Sequence, residues 1–228
     1  MDPESSISSW LTRLPQPREL FAYARASMAA QAAWELRNDV PCEPVSTMEQ
    51  HDDVVSFYFP SAEGDNLVLR FGPNWALVIA YDHESEKGPY RHETSAPSLW
   101  PGLTTGLPAE LGQWLNTPRD EDGVLVATAV AWNLSEMWLA GEDVQTDGDI
   151  TLQYDDGVAT LLDPFIGGLN QFAEQIQLDY ELDLSTDDLR QLVSDSVVSR
   201  SVLEHLAPGR ESELAGRLET LGYGTSDD

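Results

Sequence analysis

Apolar positions recur at helical spacing near both ends of the chain and at strand spacing in between. Arg18 to Asn38 is rich in Ala, Leu, Glu and Met, which are good helix formers. Phe21, Ala24, Met28 and Ala32 fall three or four residues apart, which predicts one helix face. A shorter helix is expected over Ser5 to Leu14 around Trp10, ending at Pro15. The segment Val40-Pro41-Cys42-Glu43-Pro44 halts the long helix, because two prolines remove donors and restrict the residues before them.

The middle changes period. Val54 to Phe59, Leu67 to Phe71 and Trp75 to Tyr81 are β-branched and aromatic, with turn residues between them around Gly64 and at Gly72-Pro73-Asn74. Three such strands predict an antiparallel meander. Asp82 to Pro97 reads as a polar loop, and Ala109 to Leu115 as a short helix carrying Trp114. Gly123 to Asn133 is apolar on both parities, as expected of a strand covered on both faces. Glu136 to Val144 is expected to pair with it. Ile150 to Tyr154 and Val158 to Leu162 read as a second hairpin about Asp155-Asp156-Gly157.

Helical spacing then returns. Leu169, Phe172, Ile176 and Tyr180 mark one face, and Gly167-Gly168 reads as its entry. Ser185 with Asp187 and Asp188 looks like an N-cap with acids in the first turn. Val202, Leu203 and Leu206 predict a piece ended by Pro208-Gly209. Leu214, Leu218 and Leu221 predict a last helix with Gly222 as its C-cap. The fold class is α+β: an N-terminal helix, an antiparallel sheet and a helical C-terminal segment. A single domain over residues 1–228 is expected, with a subdivision available at 1–118 and 119–228.

Charge alters this picture more than composition does. Forty acids face twelve bases, a net charge of -28, while 41% hydrophobic residues are too many for a disordered acidic tail. Residues 1–114 carry a net of -9 and residues 115–228 a net of -19. Between Asp120 and Leu189 there is no Lys, Arg or His, but there are 17 acids. Such a chain is not expected to bind nucleic acid or an anionic membrane surface, which require clustered cations. Its one cysteine, Cys42, forms no internal disulfide, so a reducing compartment is expected. The start MDPESSISSW lacks the basic and apolar regions of a signal peptide, and no run approaches a membrane span. A cytoplasmic location follows as an expectation.

Candidate chemistry is sparse. His51 adjoins Asp52 and Asp53, and His83 and His92 lie near Glu84, Glu86 and Glu93. Imidazole and carboxylate suit a transition metal, but the spacing matches no metal motif. Asp143 to Asp149 and Asp155-Asp156-Gly157 share only composition with calcium loops. Cys42 sits between prolines with no oxyanion-loop signal, which favours an inert thiol. No catalytic residue and no cofactor are assigned.

The acidic stretch is therefore the main functional signal, and a solvated surface is its plain alternative. As a docking face for a basic protein it would steer association and need aromatic anchors. The expected contact residues are Glu136, Trp138, Glu142, Asp143, Asp147, Asp149, Tyr154, Asp155 and Asp156, with Trp132 assigned to the core. In overall character the chain is similar to cytoplasmic immunity proteins of bacterial toxin systems, which are small, acidic and α+β and block basic nucleases. A nucleic-acid mimic that masks a DNA-binding protein is the neighbouring version. The alternatives are a haloadapted cytoplasmic protein, a metal-dependent hydrolase using His83 and His92, and a secretion chaperone.

Overall fold

A computed structural model describes residues 10–41, 45–90, 97–115, 123–135, 137–141, 158–194 and 196–226, and of Ala159 the backbone alone. The chain has an N-terminal helix, a six-stranded antiparallel sheet and C-terminal helices, the expected α+β class. It gathers into two compact units. One comprises residues 1–14 and 49–162, the other residues 15–48 and 163–228.

The first unit is built on the sheet. Its strands are β1 (Thr47–His51), β2 (Val54–Pro60), β3 (Asn66–Gly72), β4 (Trp75–Tyr81), β5 (Ala129–Asn133) and β6 (Trp138–Ala140), in that order across the sheet. Each connection within the meander has a local cause. Asp52 takes a φ of 53° in the β1–β2 turn, and Gly64 takes a φ of 101° in the β2–β3 turn. Pro73 and Asn74 close the β3–β4 hairpin, whose register runs from Gly72 opposite Trp75 to Asn66 opposite Tyr81.

Side chains alternate across the pleat. Val68, Leu77, Ile79, Val130 and Trp132 pack with Leu103, Leu111, Leu115, Leu125 and Ala127 in one apolar cluster. Phe57, Leu67, Leu69, Val78 and Ala131 have the other parity and are also buried, so these strands are apolar on both faces. Trp132 is 2% exposed, the core position expected for it. A 3-10 turn at Leu11–Arg13 stands where the first short helix is expected, and that turn packs on β6. The β5 ladder is shorter than the apolar run that announces it, because only its last five residues pair with β4. A short helix, α2 (Ala109–Gly112), buries Leu111.

One expectation is corrected. Val158 to Leu162 is not a strand but the start of helix α3 (Val158–Ile166). Val158, Leu162 and Phe165 lie four and three residues apart and are all buried, which is a helical stripe. Five residues contain too little of that stripe to separate it from a strand.

The second unit is helical. Helix α1 (Pro17–Asn38) contacts α4 (Gly168–Tyr180), α5 (Thr186–Ser194), α6 (Arg200–Leu206) and α7 (Glu211–Thr220). Ala26 to Gln31 are buried without interruption, so α1 is covered around its girth rather than along one stripe. Its alanines allow that close approach. A two-stranded parallel pairing, β7 (Val197–Ser199) with β8 (Gly224–Ser226), completes the unit. Gly222 follows α7 at a φ of 83°, as the C-cap reading requires.

Candidate functional site

The cation-free stretch divides between the two units. Its ten acids from Asp120 to Asp156, together with Tyr154, lie outside the described residues. The expected contact residues Glu136, Glu142, Asp143, Asp147, Asp149, Tyr154, Asp155 and Asp156 thus lie outside the described residues, as do His92 and Cys42. Trp138 is described, and it is 9% exposed on β6, with little surface to offer a partner. Beside it, Met137 is 70% and Leu139 46% exposed.

The seven remaining acids lie in the second unit. Glu174 and Asp179 are exposed on α4, Glu181 and Asp183 on the link to α5, and Asp187 in the first turn of α5. Asp187 pairs with Arg190 at 2.7 Å. Leu178, 76% exposed on α4, stands among these carboxylates. Asp188 is different: it is buried, and its Oδ2 accepts the Ser185 backbone N–H at 3.1 Å and the Ser185 hydroxyl at 2.7 Å. The Asp188 N–H donates back to Ser185 Oγ at 3.1 Å, closing a capping box. His205 Nδ1 lies 3.2 Å from the same Asp188 oxygen. Ser, Asp and His thus meet, but hydroxyl and imidazole share one carboxylate oxygen, so no base takes the serine proton and the group is a cap.

Four arginines of the second unit, Arg25, Arg37, Arg210 and Arg217, link its elements. Arg37 donates to the carbonyls of His205 and Leu206 at the end of α6. Arg210 donates to the Leu36 carbonyl at 2.9 Å, near the end of α1, and pairs with Asp39 and Glu213. Those two carboxylates, Glu213 first, hold its guanidinium protonated above the usual range. Cations at helix C-termini satisfy carbonyls that lack intrahelical donors. Arg217 pairs with Glu35 at 2.7 Å, and the Arg25 guanidinium lies 4.0 Å from the Tyr223 ring centroid. In the first unit Arg70 is buried beneath Trp114, and Lys87, the chain's one lysine, is 4% exposed.

A second cluster lies at one end of β3 and β4. Asp65 precedes β3 and Asp82 follows β4, one step beyond the Asn66–Tyr81 pair, so the register sets them opposite each other. His83 Nδ1 is 2.7 Å from Asp65 Oδ1, and the His83 backbone N–H donates to that oxygen at 2.9 Å. The Ser61 hydroxyl donates to Asp65 Oδ2 at 3.3 Å, and the Asp82 N–H to Thr128 Oγ1 at 3.2 Å. Burial raises the Asp65 pKa, but the His83 backbone N–H, its ring and the Ser61 hydroxyl outweigh it, and the net shift is downward. The Asp65 hydrogen bond raises the His83 pKa, with Glu84 and Asp82 adding to it. Burial, then Asp65 and Asp82, push the Tyr81 phenol up. Of the sequence candidates, His83 is placed among ligand-type groups, while His51 forms an exposed pair with Asp52 at 3.1 Å.

Among the described residues, no helix is long and apolar enough to cross a membrane. Comparison of the chain with protein-family models, with curated proteins and with solved structures gave no match.

Proposed function

We propose that this chain is a non-enzymatic acidic binding protein that masks a basic protein partner, in the manner of an immunity protein neutralising a toxin or a mimic covering a DNA-binding protein. The observation that carries the reading is the long cation-free stretch, with 17 acids and no Lys, Arg or His between Asp120 and Leu189. Its described part is consistent with that reading: five carboxylates from Glu174 to Asp187 are exposed, with Leu178 among them as an apolar contact. Partner cations pair with these groups and with Asp149, Asp155 and Asp156. Complementary charge raises the association rate about 10 to 1000-fold at low salt, and desolvated pairs couple by about 1.5–7 kcal/mol.

Affinity capture from the native host, followed by mass spectrometry, tests the reading. Wild-type protein should recover one basic protein in dilute buffer and lose it as salt rises. Charge reversal at Glu174, Asp179, Glu181 and Asp183, or at Asp149, Asp155 and Asp156, should abolish recovery while the circular dichroism spectrum is unchanged. Equal recovery by both reversed variants would overturn the assignment.

A second reading has its own observation. With one lysine in 228 residues, the chain also fits a cytoplasm of high salt. Unfolding in dilute buffer, reversed by molar salt, would favour that reading.

A further inference from the structure

We propose that Asp65, Asp82 and His83 form a binding site for one divalent first-row transition-metal ion. One donor atom from each residue lies within 4.8 Å of the others. Ligands on such an ion sit about 2.0–2.2 Å from it, so no two are more than about 4.4 Å apart. The three groups therefore need to close by only a few tenths of an ångström. The His83 Nδ1 and Asp65 Oδ1 atoms, 2.7 Å apart, would open slightly to occupy neighbouring coordination positions.

The backbone places these groups independently of any ion. A two-residue β3–β4 turn fixes the register, and the register sets Asp65 opposite Asp82. Like charges facing each other across a strand pair are destabilising. A cation between them removes that repulsion. The two aspartates also have outer support of the kind metal sites use. Ser61 holds Asp65 Oδ2, Thr128 Oγ1 accepts the Asp82 backbone N–H, and the Glu84 N–H donates to Asp82 Oδ1 at 2.8 Å. The Asp65 side chain is 15% exposed and that of His83 40%, so an ion can enter and its remaining positions stay open to water.

The donor set selects the ion. Two carboxylates and one imidazole suit zinc, manganese, cobalt or iron in the divalent state, whereas calcium takes oxygen ligands. Three protein ligands are too few to close a tetrahedral structural zinc site, so at least one position holds water or an exogenous ligand. This site shares no residue with the acidic run of α4 and α5, and either proposal can fail without the other.

The test is zinc titration of the full chain after treatment with chelator, followed by calorimetry in physiological salt with excess magnesium. Magnesium occupies unspecific carboxylates. The expected result is saturation at one equivalent, with affinity weakened at least tenfold in both H83A and D82N and unchanged in H51A. A zinc-dependent rise in the melting temperature of wild-type protein, absent in H83A, is the second readout and requires no comparison of affinities. Absence of saturable binding, retention of wild-type affinity in H83A and D82N, or loss of binding in H51A would each overturn the site.

Discussion

Replacing Trp138 with alanine separates a packing role from a docking role for the one described aromatic that the sequence places among the contact residues. The indole is 9% exposed on a three-residue strand that pairs with β5 and receives the 3-10 turn at Leu11–Arg13. A buried aromatic hides about 150–250 Å². At about 25 cal/mol per Å², removing nine-tenths of that area from water is worth roughly 3.5–5.5 kcal/mol. Truncation of buried Phe or Trp costs about 3–5 kcal/mol, and sites that can collapse lie at the low end. As β6 is an edge strand and the neighbouring Leu139 is exposed, W138A should cost about 3 kcal/mol. For a chain of this size that lowers the melting temperature by about 6–12 °C. Leu139→Ala, on the same strand but 46% exposed, should cost less than about 1 kcal/mol. Urea unfolding followed by circular dichroism at 222 nm measures both, and avoids the overlapping fluorescence of seven tryptophans. An unchanged midpoint in W138A, combined with lost partner capture, would refute the packing assignment and restore the indole as an anchor.

Three further outcomes follow from other parts of the molecule. Ser185→Ala removes the hydroxyl that accepts the Asp188 N–H and donates to its carboxylate, and should lower stability by about 1 kcal/mol in urea unfolding. Ser185→Asn should recover part of that loss, since asparagine also caps. Gly141→Ala sets a Cβ against the carbonyl oxygens of Gly102 and Leu103, and the backbone must yield, so the variant should lose about 1–3 kcal/mol. Tyr223 donates to the Leu192 carbonyl at 2.7 Å, and burial pushes its phenol up to about 12, against an opposing effect of Arg25. Its raised pKa means that the folded state disfavours ionisation. Its contribution is complete below about pH 10, where the unfolded phenol titrates, and is lost as the pH rises through about 12. Tyr223→Phe should therefore be less stable than wild type at pH 8, by about 1 kcal/mol for the lost hydrogen bond, and should lose less further stability between pH 10 and 12.

The meander, the long N-terminal helix and the C-terminal helices were legible in the sequence because each has a local cause. Two-residue turns, proline stops and a serine cap act within a few residues. Helix α3 was hidden because its buried stripe, Val158, Leu162 and Phe165, extends past the window that reads as a strand. The β7–β8 pair joins Val197 to Gly224 through three residues a side, and no periodicity can mark an element so short. The roles of Arg37 and Arg210 depend on partners 169 and 174 positions away, which only tertiary packing brings together. The juxtaposition of Asp65 and Asp82 has a local cause too. An antiparallel hairpin closed by Pro73 and Asn74 sets every pair by number, so Asp65 faces Asp82.

The placement of the cations bears on what the acidity can do. An arginine paired with a surface carboxylate cancels one negative charge nearby and is screened within about 8 Å at physiological salt. Arg37 instead meets carbonyls, and Arg25 meets an aromatic ring, so neither contact uses a carboxylate. Arg70 and Lys87 are buried in a unit whose span holds 22 acids and five bases. Part of the positive charge therefore works on helix ends and ring faces, while Arg190, Arg200, Arg210 and Arg217 pair with carboxylates. Two consequences separate binding from folding. Salt should weaken any association that uses the carboxylates, because their field is largely uncancelled in low-salt buffer. The arginine contacts to carbonyls and rings include partly buried geometry and should resist the same salt, while screening relieves the self-repulsion of a net charge of -28. A docking protein built this way holds its fold, or gains stability, over the range of ionic strength in which it releases its partner.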